Sequence, residues 1–199
     1  EGGVHPAPDG YVKDLRALCD ERGVLFIVDE IQTGLGRTGE WFAFQHSDVR
    51  PDIVTVAKAL GNGMPIGACW ARQEISSVFE PGDHGSTYGG QPLAAAAARA
   101  TLDELIAIDA PHAARRAGDY LAKGLTALAG VSAVRGMGLL LGAELAAGNA
   151  KAVNASLLEA GLVANAVTDT ALRFAPPLNV SEAEIDAALA ICAEVIPSA

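Results

Sequence analysis

Apolar side chains in the first third of the chain fall first at helical spacing and then in unbroken runs. Residues 11–22 place them every three or four positions, and Gly23, a common helix terminator, follows. Residues 24–28 are all apolar, as expected of a strand buried on both faces, and residues 52–57 and 66–71 are strand-like as well. A helix that leads into several buried strands predicts an α/β sheet covered on both faces.

The pattern changes after Gln91, where alanine-rich helical segments replace the buried strands. Helices are predicted over residues 91–108, 111–128, 150–160 and 182–196, and strands within residues 131–145, 162–166 and 171–175. Helices and strands that do not alternate strictly are typical of a small α+β domain. We therefore expect an α/β domain over residues 1–105 and an α+β domain over residues 106–199.

Charge and composition narrow the class of protein. The 199 residues carry a formal net charge of −10 without a Lys/Arg-rich run, so nucleic acid and anionic membrane surfaces are not expected partners. The longest apolar runs fall short of the roughly 20 residues that a membrane-spanning helix needs. Cysteines and histidines show no metal-ligand spacing, and a reducing, cytoplasmic location is expected. Because the first residue is Glu1, we expect the chain to begin within a longer protein.

Two charged residues stand where predicted strands end, at the edge where α/β sheets bind ligands. Asp29 follows the first predicted strand and Lys58 follows the second. A carboxylate and an amine at one edge suit a cationic heteroaromatic ring that carries an aldehyde, and pyridoxal 5'-phosphate has both features. A structural ion pair at the strand ends would produce the same spacing, so the spacing alone leaves both interpretations open.

Three sequence motifs resemble the signatures of class III aminotransferases. They are VDEIQTGLGRTG at residues 28–39, PDIVTVAKALGNG at residues 51–63 and HGSTYGG at residues 84–90. The likeness continues through residues 135–140 and 172–178, covers essentially the whole chain, and is closest to the acetylornithine and ornithine branch. The resemblance implies the C-terminal part of a pyridoxal-phosphate-dependent transferase fold, with the mostly parallel sheet of its large domain followed by its small domain.

The resemblance also implies which residues hold the cofactor. Lys58 would form the Schiff base with pyridoxal 5'-phosphate and carry the proton between the substrate and cofactor carbons. Asp29 would pair with the pyridine nitrogen, Ile31 would pack against one ring face, and Gln32 would hydrogen-bond near the ring hydroxyl. A plain core position for Ile31 and a turn position for Gln32 are the ordinary alternatives.

Four further residues would act on the cofactor phosphate and the substrates. By resemblance, Thr87 binds the phosphate of a neighbouring subunit's site and Ser86 lies near the substrate, which requires a homodimer with a shared active site. Arg173 would bind the carboxylate of 2-oxoglutarate or glutamate, and Glu1 would neutralise Arg173 while the ω-amino substrate is bound. A surface turn for the first pair and a structural salt bridge for the second are the alternatives.

The reaction implied by the resemblance moves the δ-amino group of N2-acetylornithine to 2-oxoglutarate, as a step in arginine biosynthesis. Ornithine, succinylornithine and 4-aminobutyrate aminotransferases, an aminomutase and an inactive fragment remain open alternatives. The family's N-terminal phosphate turn, its second ring-packing residue and its substrate-binding arginine are missing from this sequence, so the chain by itself is not expected to turn over. Gln91 stands where the family most often has Asn, which bears only on the branch.

Overall fold

The computed structural model describes residues 2–196, and the chain divides into two compact units. The first, which we call the lysine unit, consists of residues 7–36 and 40–110. The second, which we call the arginine unit, comprises the described residues 2–6, 37–39 and 111–196. The domain boundary expected after residue 105 stays a prediction for the whole protein.

The lysine unit is built from short strands and flanking helices. Its elements are α1 (Tyr11–Arg22), β1 (Ile27–Asp29), β2 (Ile53–Val56), β3 (Ala68–Ala71), α2 (Gln73–Ser76) and α3 (Pro92–Ala107), with 3₁₀ turns at Ala43–Ser47 and Lys58–Leu60. The strand order is β1-β2-β3, in which β1 runs parallel to β2 and β2 runs antiparallel to β3. Helix α1 ends where predicted because Gly23 adopts a left-handed φ of 63°.

The strand predicted over residues 24–28 is wrong in its bounds and in its burial. Strand β1 spans Ile27–Asp29, and the preceding Val24 and Leu25 are 54% and 53% exposed. Ile27 itself is 57% exposed, whereas Val54 in β2 is completely buried. β1 is an edge strand of the described sheet, whereas β2 has a neighbour on each side.

A buried carboxylate joins the ends of the three strands, at the end of β2 that lies away from Lys58. Asp52 directly precedes β2, and its Oδ2 accepts hydrogen bonds from Arg16 Nη1 and Phe26 N, both at 2.7 Å. Its Oδ1 accepts a bond from Arg72 Nη1 at 2.9 Å. Burial by itself would raise the pKa of Asp52, but the Phe26 N–H and the Arg16 guanidinium outweigh it and hold that pKa below its usual value.

The arginine unit packs helices against an antiparallel sheet. Its elements are α4 (Ala110–Thr126), β4 (Val131–Met137), β5 (Leu140–Leu145), α5 (Ala150–Glu159), β6 (Asn165–Ala166), β7 (Ala171–Phe174) and α6 (Glu182–Val195). The strand order is β4-β5-β7-β6, and every pair is antiparallel. The core joins these elements through fully buried side chains such as Leu125, Leu157 and Leu172. Within residues 2–196, no helix has both the length and the apolar character of a membrane span.

Candidate active site

The parallel pairing of β1 and β2 places Asp29 and Lys58 at the same edge of the sheet. Asp29 ends β1 in register with Thr55, and Lys58 follows Val56, the last residue of β2, by two positions. Both side chains are exposed, and within the described residues neither Lys58 Nζ nor Asp29 Oδ2 has a hydrogen-bond or ion-pair partner. The structural ion pair that the spacing left open is therefore not observed in this part of the chain.

The turn that follows β1 orients the Asp29 carboxylate. Asp29 Oδ1 accepts a hydrogen bond from the Ile31 backbone N–H at 2.9 Å, a local bond of the kind that aspartate makes in turns. Ile31 and Gln32 are both half-buried in this turn. The turn therefore sets the direction of Asp29 and leaves part of the two following side chains accessible, while their contacts with a cofactor stay predictions.

The backbone at Lys58 adopts a conformation that is uncommon for a residue other than glycine. Its φ is 45°, in the left-handed region, at the first residue of the Lys58–Leu60 turn. The turn closes through bonds from Leu60 N to Ala57 O and from Gly61 N to Lys58 O, at 3.0 and 3.1 Å. Only glycine fits at Gly61, because a Cβ there would lie 2.0 Å from the Met64 carbonyl oxygen. Strained residues of this kind cluster at functional sites, held in place by the surrounding structure.

Glu30 has a structural role that the sequence motif did not reveal. It lies between two candidate site residues, yet it is only 1% exposed and its side chain accepts bonds from the Thr33 hydroxyl and the Phe44 N–H, at 2.5 and 3.0 Å. Alternation between the two faces of a strand could have indicated that the neighbour of an exposed Asp29 faces inward, but not which residues Glu30 contacts.

Ser86 and Thr87 lie in an exposed turn of the lysine unit. The Ser86 hydroxyl accepts a hydrogen bond from Gly89 N at 3.0 Å, which closes the turn, and no contact of either side chain with Asp29 or Lys58 is observed among the described residues. The surface turn that was the alternative reading is thus the observed local structure. Binding of a neighbouring subunit's phosphate by Thr87 and contact of Ser86 with a substrate stay predictions.

Arg173 lies in the arginine unit, on strand β7 between Gly142 of β5 and Asn165 of β6. It is half-buried, and within the described residues its guanidinium has no hydrogen-bond or ion-pair partner. A half-buried guanidinium without a partner in the described part of the chain is available to a carboxylate ligand. Glu1, which was expected to neutralise it, lies outside the described residues.

A second arginine anchors the stretch that follows Arg173. Arg37 Nη1 donates to the carbonyl oxygens of Pro176 at 2.5 Å and Leu139 at 3.1 Å, and burial lowers the pKa of its guanidinium. Its own carbonyl oxygen accepts from Leu139 N at 2.9 Å. Arg37 lies in the motif at residues 28–39, but nothing in the sequence indicated that it would bind two backbone carbonyls far along the chain.

The groups at the edge of the lysine unit fit pyridoxal 5'-phosphate. Among the described residues, the exposed Lys58 amine has no partner and suits the aldehyde, and the exposed Asp29 carboxylate has one unpaired oxygen and suits the ring nitrogen. Half-buried Ile31 offers an apolar contact. The exposed hydroxyls of Ser86 and Thr87 are suitable donors to phosphate oxygens. Residues 2–196 contain no group of three or more His, Cys, Asp and Glu side chains that could hold a metal ion.

The chain belongs to the class III aminotransferase family, whose family model, Aminotransferase class-III, matches residues 1–196. Class III aminotransferases are pyridoxal-phosphate enzymes. The family resemblance of the sequence motifs is thereby confirmed.

Curated relatives and solved structures agree with this assignment. The chain is 48% identical to the acetylornithine aminotransferase of Corynebacterium efficiens over 196 residues, which cover 98% of this chain and 48% of that relative. It is 46% identical to ornithine aminotransferase 2 of Staphylococcus saprophyticus over 192 residues, or 95% of this chain and 48% of the relative. The chain therefore spans about half the length of the curated relatives it matches.

The fold is that of solved aminotransferases. The acetylornithine aminotransferase of Elizabethkingia anophelis has a TM-score of 0.90 at 36% identity, over 98% of this chain and 54% of that protein. An ornithine aminotransferase of Toxoplasma gondii also has a TM-score of 0.90 at 36% identity, over 98% of this chain and 47% of that protein. The structure of that protein revealed partial occupancy of PLP at its active site.

Proposed function

We propose that this chain supplies the cofactor lysine of an aminotransferase that moves the δ-amino group of N2-acetylornithine to 2-oxoglutarate, as a step in arginine biosynthesis. The observation that carries the proposal is the placement of Asp29 and Lys58 at the ends of adjacent parallel strands. Neither Lys58 Nζ nor Asp29 Oδ2 has a partner among the described residues. Family membership and the identity to acetylornithine aminotransferases support the substrate class.

Each candidate cofactor residue of the lysine unit then has a defined task. When bound, pyridoxal 5'-phosphate supplies an aldehyde that links covalently to an amine and a protonated ring that withdraws electrons. Lys58 Nζ would hold the cofactor through its aldehyde carbon and, once free, would carry the proton at the substrate carbon as acid and base. Asp29 would keep the ring nitrogen protonated. The Ile31 N–H sets the direction of the Asp29 carboxylate. Ile31 packs on one ring face and Gln32 binds near the ring hydroxyl.

The remaining proposed contacts concern substrates and a second subunit. Arg173 binds the carboxylate of the amino acceptor, supported by the absence of any partner for its guanidinium in the described chain. Glu1 is proposed to neutralise Arg173 while the ω-amino substrate is bound, on the basis of the family resemblance. Thr87 and Ser86 are proposed to serve the neighbouring site of a cytoplasmic homodimer, supported by the exposure of their turn.

Ornithine is the second candidate for the amino donor, because an ornithine aminotransferase is 46% identical to this chain, within the 43–48% of the acetylornithine aminotransferases. The two donors differ in the charge of their α-amino group, which acetylation removes. A preference between them therefore reports on the residues around that group.

The test is a comparison of amino donors on the natural full-length protein. Glutamate formation from 2-oxoglutarate is measured with N2-acetylornithine, ornithine and 4-aminobutyrate at several concentrations, with Lys58→Ala as the inactive control. The proposal predicts the highest kcat/KM for N2-acetylornithine. A higher kcat/KM for ornithine or 4-aminobutyrate would overturn the substrate and leave the enzyme class, whereas undiminished turnover by Lys58→Ala would overturn the mechanism.

A further inference from the structure

Glu30 is the most buried acidic residue near the candidate site, and the proposed function gives it no task. Glu30 directly follows Asp29, but it is 1% exposed whereas Asp29 is exposed. A buried carboxyl group is costly unless it is hydrogen-bonded, so its presence at this position calls for a reason. The hydrogen bonds of Glu30 supply that reason.

Glu30 closes the turn after β1 through both its backbone and its side chain. Its N–H donates to Thr55 O of β2 at 2.9 Å, and its carbonyl oxygen accepts from Gly34 N at 3.0 Å. Its Oε2 accepts from the Thr33 hydroxyl at 2.5 Å, and its Oε1 accepts from Phe44 N at 3.0 Å. A Cβ on Gly34 would lie 2.8 Å from the Glu30 carbonyl oxygen, so the turn has no room for any other residue there.

These bonds control the direction of Asp29. The N–H that orients the Asp29 carboxylate belongs to Ile31, which lies inside the turn that Glu30 closes. Ile31 lies between Glu30 and Thr33, so the hydrogen bond that joins those two side chains spans it. The direction of Asp29 therefore depends on the Glu30 side chain, although Glu30 itself faces away from the exposed edge.

We propose that Glu30 is a positioning residue of the cofactor site, which holds the turn that aims Asp29 at the ring nitrogen and presents Gln32. This inference rests on the proposed function, since it concerns the same site. Glu30 touches no reacting atom and acts through the hydrogen bonds that fix Ile31.

Three substitutions separate positioning from charge. Glu30→Gln keeps an oxygen to accept from Phe44 N, and its amide can donate to the Thr33 hydroxyl, so both contacts survive without the carboxylate. Glu30→Ala removes both contacts. Thr33→Val removes one of the two donors to Glu30 and provides a milder variant that decides the question even when Glu30→Ala fails to fold.

The readouts are the affinity for pyridoxal 5'-phosphate and the pH midpoint of its absorbance band when bound to the full-length protein. Loss of hydrogen bonds to a carboxyl group predicts about tenfold weaker cofactor binding for Glu30→Ala. It also predicts a shift of the pH midpoint, because a misdirected Asp29 no longer holds the proton on the ring nitrogen. Thr33→Val should fall between Glu30→Ala and the wild type, and Glu30→Gln should match the wild type.

A destabilising variant elsewhere in the lysine unit is the matched control. Asp52→Asn disrupts a buried network at the other end of β2, so it should lower the melting temperature without moving the pH midpoint. An unmoved midpoint in Thr33→Val and Glu30→Ala, or a midpoint moved equally by Asp52→Asn, would overturn the positioning role. A shift in Glu30→Gln as large as in Glu30→Ala would overturn it in favour of a charge effect. Failure of the wild type to bind the cofactor would instead overturn the proposed function.

Discussion

Replacement of Asp52 by asparagine should lower the stability of the protein because it breaks a buried charged network while preserving shape. The Asp52 side chain is 5% exposed and pairs with Arg16, whose side chain is 14% exposed, and with Arg72, whose side chain is 38% exposed. An asparagine oxygen can serve at most two of the three donors around it, as Asp52 Oδ2 does. Its amide group must then face a guanidinium or the Phe26 N–H, each of which is itself a donor.

The magnitude follows from how well water can reach the arginines left behind. Removing one partner of a fully buried ion pair costs about 3–5 kcal/mol, but Arg72 is partly solvated, so we expect about 2–3 kcal/mol here. For a chain of this size that corresponds to a fall in melting temperature of very roughly 5–10 °C. Urea and thermal unfolding followed by circular dichroism measure both quantities. Glu21→Gln, at an exposed ion pair with Arg22, is the control and should stay within about 0.5 kcal/mol of the wild type.

The stability difference between the wild type and Asp52→Asn should also depend on pH. The pKa of Asp52 is lower in the folded state than its usual value of about 3.9, so its contribution to stability is complete above that pH. The contribution is lost as the pH falls through the lower, folded-state pKa. The stability difference between wild type and Asp52→Asn should therefore be constant from pH 7 to about pH 5 and shrink below about pH 4. A difference below about 0.5 kcal/mol at pH 7, or one unchanged at pH 3, would show that the Asp52 carboxylate does not stabilise the fold through these bonds.

Three further predictions concern the arginine unit and the cysteines. Ser181→Ala removes the hydroxyl that caps α6 and should destabilise by about 1 kcal/mol in urea unfolding, whereas Ser181→Asp, which can also cap, should not. Burial raises the pKa of the Cys192 thiol to about 11, so in native protein at pH 8 a thiol reagent should modify exposed Cys69 and reach Cys192 only on unfolding, as peptide mass analysis would reveal. Arg37→Met leaves the Pro176 carbonyl oxygen without this donor and should cost about 1–3 kcal/mol in thermal unfolding, and an unchanged melting temperature would contradict that.

Elements with a clear helical period could be predicted from the sequence. The helix predicted over residues 11–22 is observed over the same residues, and those predicted over 91–108 and 182–196 differ from α3 and α6 by one residue at each end or less. Periodicity succeeds here because local spacing alone decides which face of a helix is apolar. Burial of the residues before and within β1 could not be predicted in this way. A run of apolar residues has the same pattern in a central strand as in an edge strand.

Some residues of the candidate site could be predicted from the sequence and others could not. Asp29 and Lys58 could be predicted because each directly follows an apolar run, and the parallel register of β1 and β2 then brings both to one edge. Glu30 could not, since its partners Thr33 and Phe44 are fixed by the path of a turn. Neither could the left-handed φ of Lys58, because lysine rarely adopts that conformation and only the fold imposes it.

Attachment of pyridoxal 5'-phosphate to Lys58 can be measured by chemical labelling. The full-length protein is incubated with the cofactor, reduced with borohydride and digested, and the modified lysine is located by peptide mass. A pyridoxyl group on Lys58 at one per chain, absent from a Lys58→Ala variant, is the predicted result. An unmodified Lys58, or a label spread equally over Lys13, Lys123 and Lys151, would contradict the account.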